Sequence, residues 1–179
     1  RPEEILIAQT GLIGMPFPVT RFKKAIPKLV KRLSEDGGHA AGKGILTTDR
    51  TAKEVALSFM LGGEKITIGA IGKGAGMVHP NMATMLCFIT TDAAITKPLL
   101  GRAIRHAVDD TFNQIAIDND MSTNDMVVVL ANGRSRAPLI QKVDRDYRLF
   151  REVLEEVCRI MAYKMVRDGE GVSHVCTLK

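Results

Sequence analysis

Thr84 ends the densest run of chemically unusual residues in the chain, Lys73-Gly-Ala-Gly-Met-Val-His-Pro-Asn-Met-Ala83-Thr84-Met-Leu86. A small residue directly before a Thr, after a glycine-rich loop and a proline, suits internal peptide cleavage. The Thr84 hydroxyl would attack the Ala83 carbonyl, the backbone would shift from amide to ester, and water would release a new N-terminus. Thr84 would then carry a free α-amino group of pKa about 7.7–8.0, well matched to act as its own general base. A hydroxyl needs such a neighbour because alone it is a weak nucleophile. On composition alone, a Thr entering a strand is ordinary structure.

Three further segments carry chemical sense. Thr10-Gly11-Leu-Ile-Gly14 pairs a hydroxyl with an outward-facing glycine N–H, a pair able to stabilise an oxyanion; a turn between elements is the plainer reading. Thr47, in Leu46-Thr-Thr-Asp49, suits a polar substrate or a helix cap. Glu170, in Arg167-Asp-Gly-Glu-Gly171, suits a substrate ammonium group or a solvated turn. The loop around Lys73 lacks the order of a phosphate-binding loop, because Lys73 precedes its glycines. The loop from Asp118 to Asp125 has Thr123 and Val129 where a calcium loop needs glycine and a carboxylate, so calcium is rejected. Neither metal nor cofactor is expected.

These residues need elements to hold them. Ile5 to Thr10 reads as a short buried strand stopped by Gly11. A helix starting near Pro18 and Thr20 carries Phe22, Ile26, Leu29, Val30 and Leu33 at helical spacing; Pro27 inside it implies a kink or a late start near Ile26, and Asp36-Gly37-Gly38 ends it. Val55 to Phe59 and Ile66 to Ala70 alternate about Gly62-Gly63, the clearest hairpin. Met85 to Ile89 is an apolar run, and Thr96-Lys97-Pro98 starts a helix through Val108. Met126 to Leu130 fits a strand or a helix. Ser122 with Asp125 resembles a capping box and Gly133 a stop, which favours the helix. Asp146 to Val166 is a long amphipathic helix, and Val172 to Leu178 alternates like a final strand. The class is α+β, with mixed sheets and helices in layers.

Composition bounds the rest. At 179 residues and 45% hydrophobic content the chain supports one globular core. No run approaches the ~20 apolar residues of a membrane helix, so no membrane partner is expected. The formal charge of +5 comes with only 4% aromatic residues, which argues against nucleic acid; the basic cluster from Arg21 to Arg32 reads as a solvated helix face. Cys87, Cys158 and Cys176 are far apart, which suits a reducing compartment and excludes a disulfide framework or zinc site.

Taken in order, the motifs at Thr10, Leu46, Lys73 to Leu86, Ser122-Thr-Asn-Asp125 and Arg167 to Gly171 resemble the ornithine acetyltransferases, or glutamate N-acetyltransferases, of the cyclic arginine pathway. The resemblance covers essentially the whole chain. It implies that Thr84 is the nucleophile and Ala83–Thr84 the self-cleavage junction, dividing 1–83 as an α-chain part from 84–179 as a β-chain part of one catalytic region. It implies that Thr10 and Gly11 form the oxyanion pair and that Thr47, Lys73, Thr84 and Glu170 bind substrate. The reaction implied is ping-pong: N-acetylornithine acylates the Thr, ornithine leaves, and glutamate takes the acetyl group, with acetyl-CoA a further donor in some members. The implied partners are the two chains of one precursor, assembled as a homo-oligomer of αβ units. The implied location is the cytoplasm, or the mitochondrial matrix in a eukaryote. Family members are longer, so the chain is expected to be a central part of the full fold. A self-processing amidase or aminopeptidase, and an inactive truncated copy, are the alternatives. Beyond Thr-Thr-Asp49 this chain has Arg50-Thr-Ala-Lys53 where the family has Pro-Lys. Beyond Gly171 it has Val172-Ser-His174 where the family has Ala-Thr-Lys.

Overall fold

The structure, a computed structural model, describes Glu3 and residues 5–178, leaving aside the side chains of Met82 and Ala83. The ends of the expected catalytic region, Arg1, Pro2, Glu4 and Lys179, lie outside the described residues. The frame is a four-stranded sheet built from β1 (Lys53–Leu61), β2 (Glu64–Lys73), β5 (Leu86–Thr91) and β6 (Met126–Ala131), in the order β1-β2-β5-β6. Between β2 and β5, a short ribbon pairs β3 (Val78–His79) with β4 (Met82–Ala83).

The expected hairpin forms where alternation and glycines placed it. Leu61 faces Glu64 across a two-residue turn, and Gly62 and Gly63 take φ of 60° and 84°, the left-handed values such a turn requires. A Cβ on Gly62 would lie 2.4 Å from Cδ of Pro138, so space as well as conformation demands glycine there. β2 pairs antiparallel with β5, Ile68 facing Thr91 and Lys73 facing Leu86, and β5 pairs parallel with β6.

One face of this sheet holds the core. Ile66, Ile68 and Ala70 of β2 and Cys87 and Ile89 of β5 are buried. They form one cluster with Ala103 and Ala107 of α3 (Lys97–Asp109) and with Phe150, Leu154, Val157, Met161 and Met165 of α4 (Arg145–Arg167). Thr96 occupies the cap position of α3, with Pro98 in its first turn. α4 begins one residue before the sequence reading, because the Asp144 carboxylate accepts the N–H groups of Asp146 and Tyr147. The α4 methionines sit tightly on β2: a Cβ on Gly72 would approach Met161 Cε to 2.7 Å. The opposite face receives α2 (Gly38–Gly44), whose Gly42 abuts Ile71.

Four local expectations fail. Met126–Ala131 is a strand, because ladder bonds to β5 and three successive valines outweigh the apparent cap signals. The Ser122 hydroxyl instead accepts the N–H of Asn124 in a local turn. Ile5–Thr10 has no ladder partner among the described residues, and Ile5, Leu6 and Ile7 are over 60% exposed. Val172–Leu178 likewise pairs with no strand among the described residues. α1 (Val19–Lys31) forms around Pro27 but stops at Arg32 rather than at the glycines; Gly38 opens α2 instead. The apolar stripe of α1 exists, yet Leu29 and Val30 are 58% and 60% exposed, because α1 makes no extensive packing contact with another element among the described residues. No helix is long and apolar enough to cross a membrane among the described residues.

Phe150 of α4 is fully buried and meets Phe59 of β1 edge to face, with ring centroids 6.5 Å apart. Phe150→Ala is expected to destabilise the fold by about 3–5 kcal/mol, read as a lower urea midpoint.

Candidate active site

The end of β2 delivers Lys73 into the loop 74–77, and the β3–β4 ribbon returns the chain to Thr84 at the mouth of β5. This path is bent hard. Met77 and Asn81 take φ of 56° and 68°, values that residues other than glycine rarely adopt. The bends bring the carbonyl of Met77 within 2.6 Å of the Thr84 nitrogen, whose N–H it accepts. That nitrogen belongs to the Ala83–Thr84 peptide bond. The Thr84 hydroxyl oxygen is buried and has no hydrogen-bond partner among the described residues. An unpartnered hydroxyl is costly in a purely structural role and is what a nucleophile awaiting its electrophile needs.

Glycines let other groups reach this loop. A Cβ on Gly74 would lie 3.3 Å from the Thr84 carbonyl oxygen, and one on Gly76 would lie 2.8 Å from Oε1 of Glu170. The Glu170 N–H also donates to the Ala75 carbonyl at 2.7 Å, so the turn after α4 is fastened along the glycine loop.

Lys73 is 2% exposed and lies 3.5 Å, Nζ to Oδ2, from Asp49. Asp49 is the point where several segments meet. Its Oδ1 accepts from Lys53 Nζ and from the Gly74 N–H, both at 2.7 Å, and its Oδ2 accepts the Thr47 N–H at 3.3 Å. Lys53, 1% exposed, also reaches Asp168 Oδ2 at 2.6 Å, which in turn accepts the N–H groups of Arg50 and Thr51. Burial pushes both carboxyls up, but the Lys53 ammonium and the backbone N–H groups outweigh it and hold both below their ordinary value. Two lysines and two aspartates thus balance in charge at the base of the glycine loop.

Three of the substrate-binding residues expected from the resemblance therefore surround one loop: Lys73 buried within it, Thr47 exposed beside it through Asp49, and Glu170 exposed along Gly76. Among the described residues neither Thr10 nor Gly11 is hydrogen-bonded to that loop. They line a hollow of about 410 Å³ with Leu12, Pro16, Thr123 and Asn124, of which Thr84 is not a part. The side-chain amide of Asn124 donates to the Gln9 carbonyl at 3.2 Å and ties the segment to the loop preceding β6. Sequence reasoning missed Lys53 and Asp118. The first carried a weak signal, its spacing of four from Asp49; the second carried none, because its partners in the glycine loop, Val78 and Met77, lie 40 and 41 residues away.

Comparison with known proteins bears on the family of the chain. The family model described as "ArgJ family" matches residues 1–179. The chain belongs to the ArgJ family. It is 46% identical over 172 residues to the "Arginine biosynthesis bifunctional protein ArgJ" of Thermosynechococcus vestitus, covering 96% of this chain and 41% of that one. It is 45% identical over 179 residues to the protein of the same name from Symbiobacterium thermophilum, covering all of this chain and 44% of that one. This chain therefore spans less than half the length of these ArgJ relatives. The crystal structure of the PH0078 protein from Pyrococcus horikoshii aligns over 82% of this chain and 49% of that one, with a TM-score of 0.53 and 15% identity, a likeness of fold. The motif resemblance to ornithine acetyltransferases and the ArgJ match thus converge.

The lowered carboxyls fix the sign of an acid dependence. Between their folded values and the ordinary 3.8, the unfolded chain binds more protons than the folded one. Their stabilisation is complete above that range and lost as pH falls through the folded values. Acid unfolding followed by circular dichroism is expected to set in below about pH 4, with a shallower pH slope in Asp49→Asn. An unchanged slope in that variant would contradict the ion network.

Proposed function

We propose that this chain carries the catalytic centre of an acetyltransferase of arginine biosynthesis, with Thr84 as the nucleophile that moves the acetyl group from N-acetylornithine to glutamate. The observation that carries the reading is the buried Thr84 hydroxyl, without a partner among the described residues, beside a peptide nitrogen held by the Met77 carbonyl. The relatives' names, bifunctional proteins of arginine biosynthesis, support a role in that pathway, while N-acetylornithine, glutamate and acetyl-CoA as a second donor follow from the motif resemblance.

Cleavage of Ala83–Thr84 frees the Thr84 amine, which takes the hydroxyl proton as the oxygen attacks the acetyl carbonyl of the donor. The carbonyl oxygen becomes an oxyanion, for which the Thr10 hydroxyl and Gly11 N–H are the proposed donors. A Cβ at Gly11 would meet nothing within 4 Å. Collapse of the intermediate leaves acetyl-Thr84 and releases the ornithine amine with a proton. The glutamate amine then attacks the ester and restores the hydroxyl. Lys73 beside the loop lowers the cost of negative charge near the reacting carbonyl, and Thr47 and Glu170 hold the polar ends of the substrates, Glu170 taking an ammonium group. The working unit is proposed to be the two chains of one cleaved precursor, in an oligomer of such units. A reducing cytoplasm fits the free cysteines Cys87, Cys158 and Cys176.

Thr84→Ala in the full-length protein is expected to abolish both chain cleavage and acetyl transfer, read by intact mass and by N-acetylglutamate formation. Cleavage persisting in that variant would overturn the nucleophile. Acetate released without N-acetylglutamate would reassign the protein as a hydrolase. Thr10→Ala is expected to lower kcat about a hundredfold with the fold unchanged.

A further inference from the structure

The loop 118–125 contributes a residue that neither the motifs nor the proposed mechanism uses. Asp118 Oδ2 accepts the Met77 N–H at 2.6 Å, and its Oδ1 accepts the N–H groups of Val78 at 3.0 Å and Asp120 at 3.2 Å. Its neighbour Ile117 donates its N–H to the Val78 carbonyl at 2.9 Å, so residues 117 and 118 grip both polar groups of Val78. Burial pushes the Asp118 carboxyl up, but the N–H groups of Met77, Val78 and Asp120 outweigh it and keep it below its ordinary value. The side chain is therefore an anion at neutral pH, and its bonds to the backbone are charge-assisted. Across these bonds sits Met77 at φ 56°, and the Met77 carbonyl in turn accepts the Thr84 N–H at 2.6 Å.

We propose that Asp118 is the positioning residue of the Ala83–Thr84 bond: its carboxylate locks Met77 in the left-handed conformation that aims the Met77 carbonyl at the scissile amide. The inference rests on the reading of Thr84 as nucleophile and of Ala83–Thr84 as the cleaved bond. A carbonyl held on the amide N–H has two effects. It fixes the plane of the peptide relative to the Thr84 hydroxyl, and it places negative potential at the nitrogen, favouring the protonation that bond breaking requires. In the shift, Thr84 Oγ1 bonds to the Ala83 carbonyl carbon, the hydroxyl proton passes to the nitrogen, and the C–N bond breaks to leave an ester and an amine. Water then cleaves the ester, its hydroxyl going to the Ala83 acyl group and its proton to Oγ1. Through both steps the Met77 carbonyl remains an acceptor for the nitrogen, first as amide and then as amine. Asp118 itself touches neither reacting atom.

The test follows maturation of the full-length precursor by intact mass, with Asp118→Ala, Asp118→Asn and Thr84→Ala alongside the parent protein. Circular dichroism and the melting midpoint check the fold. Asp118→Ala is expected to cleave about tenfold more slowly, the loss of a charge-assisted hold. Asp118→Asn is expected to fall between the two, since its amide oxygen accepts only one of the two loop N–H groups. Hydroxylamine, which captures an ester, is expected to accelerate chain separation in the parent and hardly at all in Asp118→Ala, because little ester forms. A lowered melting midpoint alone would not move that ester signature. If Asp118→Ala fails to fold, Asp118→Asn carries the test. Maturation at the parent rate in the folded Asp118 variants, with Thr84→Ala uncleaved, would overturn the role of Asp118 and leave the nucleophile standing. Full recovery of the rate by hydroxylamine would overturn it too, since the defect would then lie in ester hydrolysis. Cleavage in Thr84→Ala would overturn the underlying reading instead.

Discussion

The carboxylate of Asp49 joins segments that no single element could hold together. Within one hydrogen-bond radius it gathers Thr47, the ammonium of Lys53 where β1 begins, and the N–H of Gly74 where β2 gives way to its loop; Lys73 lies 3.5 Å away. Its side chain is fully shielded from solvent, so its charge depends entirely on these partners. Buried ion pairs contribute modest net stability, yet losing one member leaves a charge without compensation, at a cost of about 3–5 kcal/mol. The position of the glycine loop, and with it the approach to Thr84, is therefore fixed electrostatically at one end. Asp168 extends the same logic to the C-terminal end of α4, so the helix that closes the core also locates Glu170.

Fixing the loop at one end would leave its middle free to relax, and the bends at Met77 and Asn81 show that it does not. Glycines serve approach rather than flexibility here. Gly74 and Gly76 have ordinary φ values, and each admits another chain segment where a side chain would collide. The left-handed residues are instead Met77 and Asn81, and at Met77 the Asp118 carboxylate, from outside the loop, accepts the N–H and offsets the conformational penalty. Strain of this kind persists only where the surrounding structure over-determines the backbone.

Much of this was legible in the sequence wherever the determinant was local. The β1–β2 hairpin followed from Gly62-Gly63 between alternating runs, and α4 from twenty-odd residues of helical periodicity. β6 was misread because its decisive partner, β5, lies some 40 positions earlier across a parallel ladder, whereas Ser122, Asp125 and Gly133 sit close by and mimic helix ends. The segment from Ile5 was read as a buried strand because apolar runs usually are, yet burial depends on what packs against them, which spacing does not encode. The same holds for α1: its periodicity set the helix, while its stripe faces outward. Around the candidate site, Lys73, Thr47, Thr84 and Glu170 were singled out through motifs. Lys53 and Asp118 were not, since a buried lysine and an aspartate in a polar loop look like any other until the fold supplies their partners.

The sheet crosses the junction at Thr84. β2 lies before it and β5 after it, and six residue pairs, Ile68 with Thr91 through Lys73 with Leu86, bind them edge to edge. α3, β6 and α4 follow β5, while α4 packs its buried face onto β1 and β2. A cut at Ala83–Thr84 would thus divide the covalent chain without dividing the core: each piece would hold strands whose neighbours belong to the other. The nicked protein would keep the cohesion of a single body while folded. Once unfolded, however, its halves would diffuse apart, and recovery would become a second-order encounter whose rate falls with dilution. Cleavage after folding would act as a ratchet, storing in the assembled sheet an order that the separated pieces could regain only at high concentration.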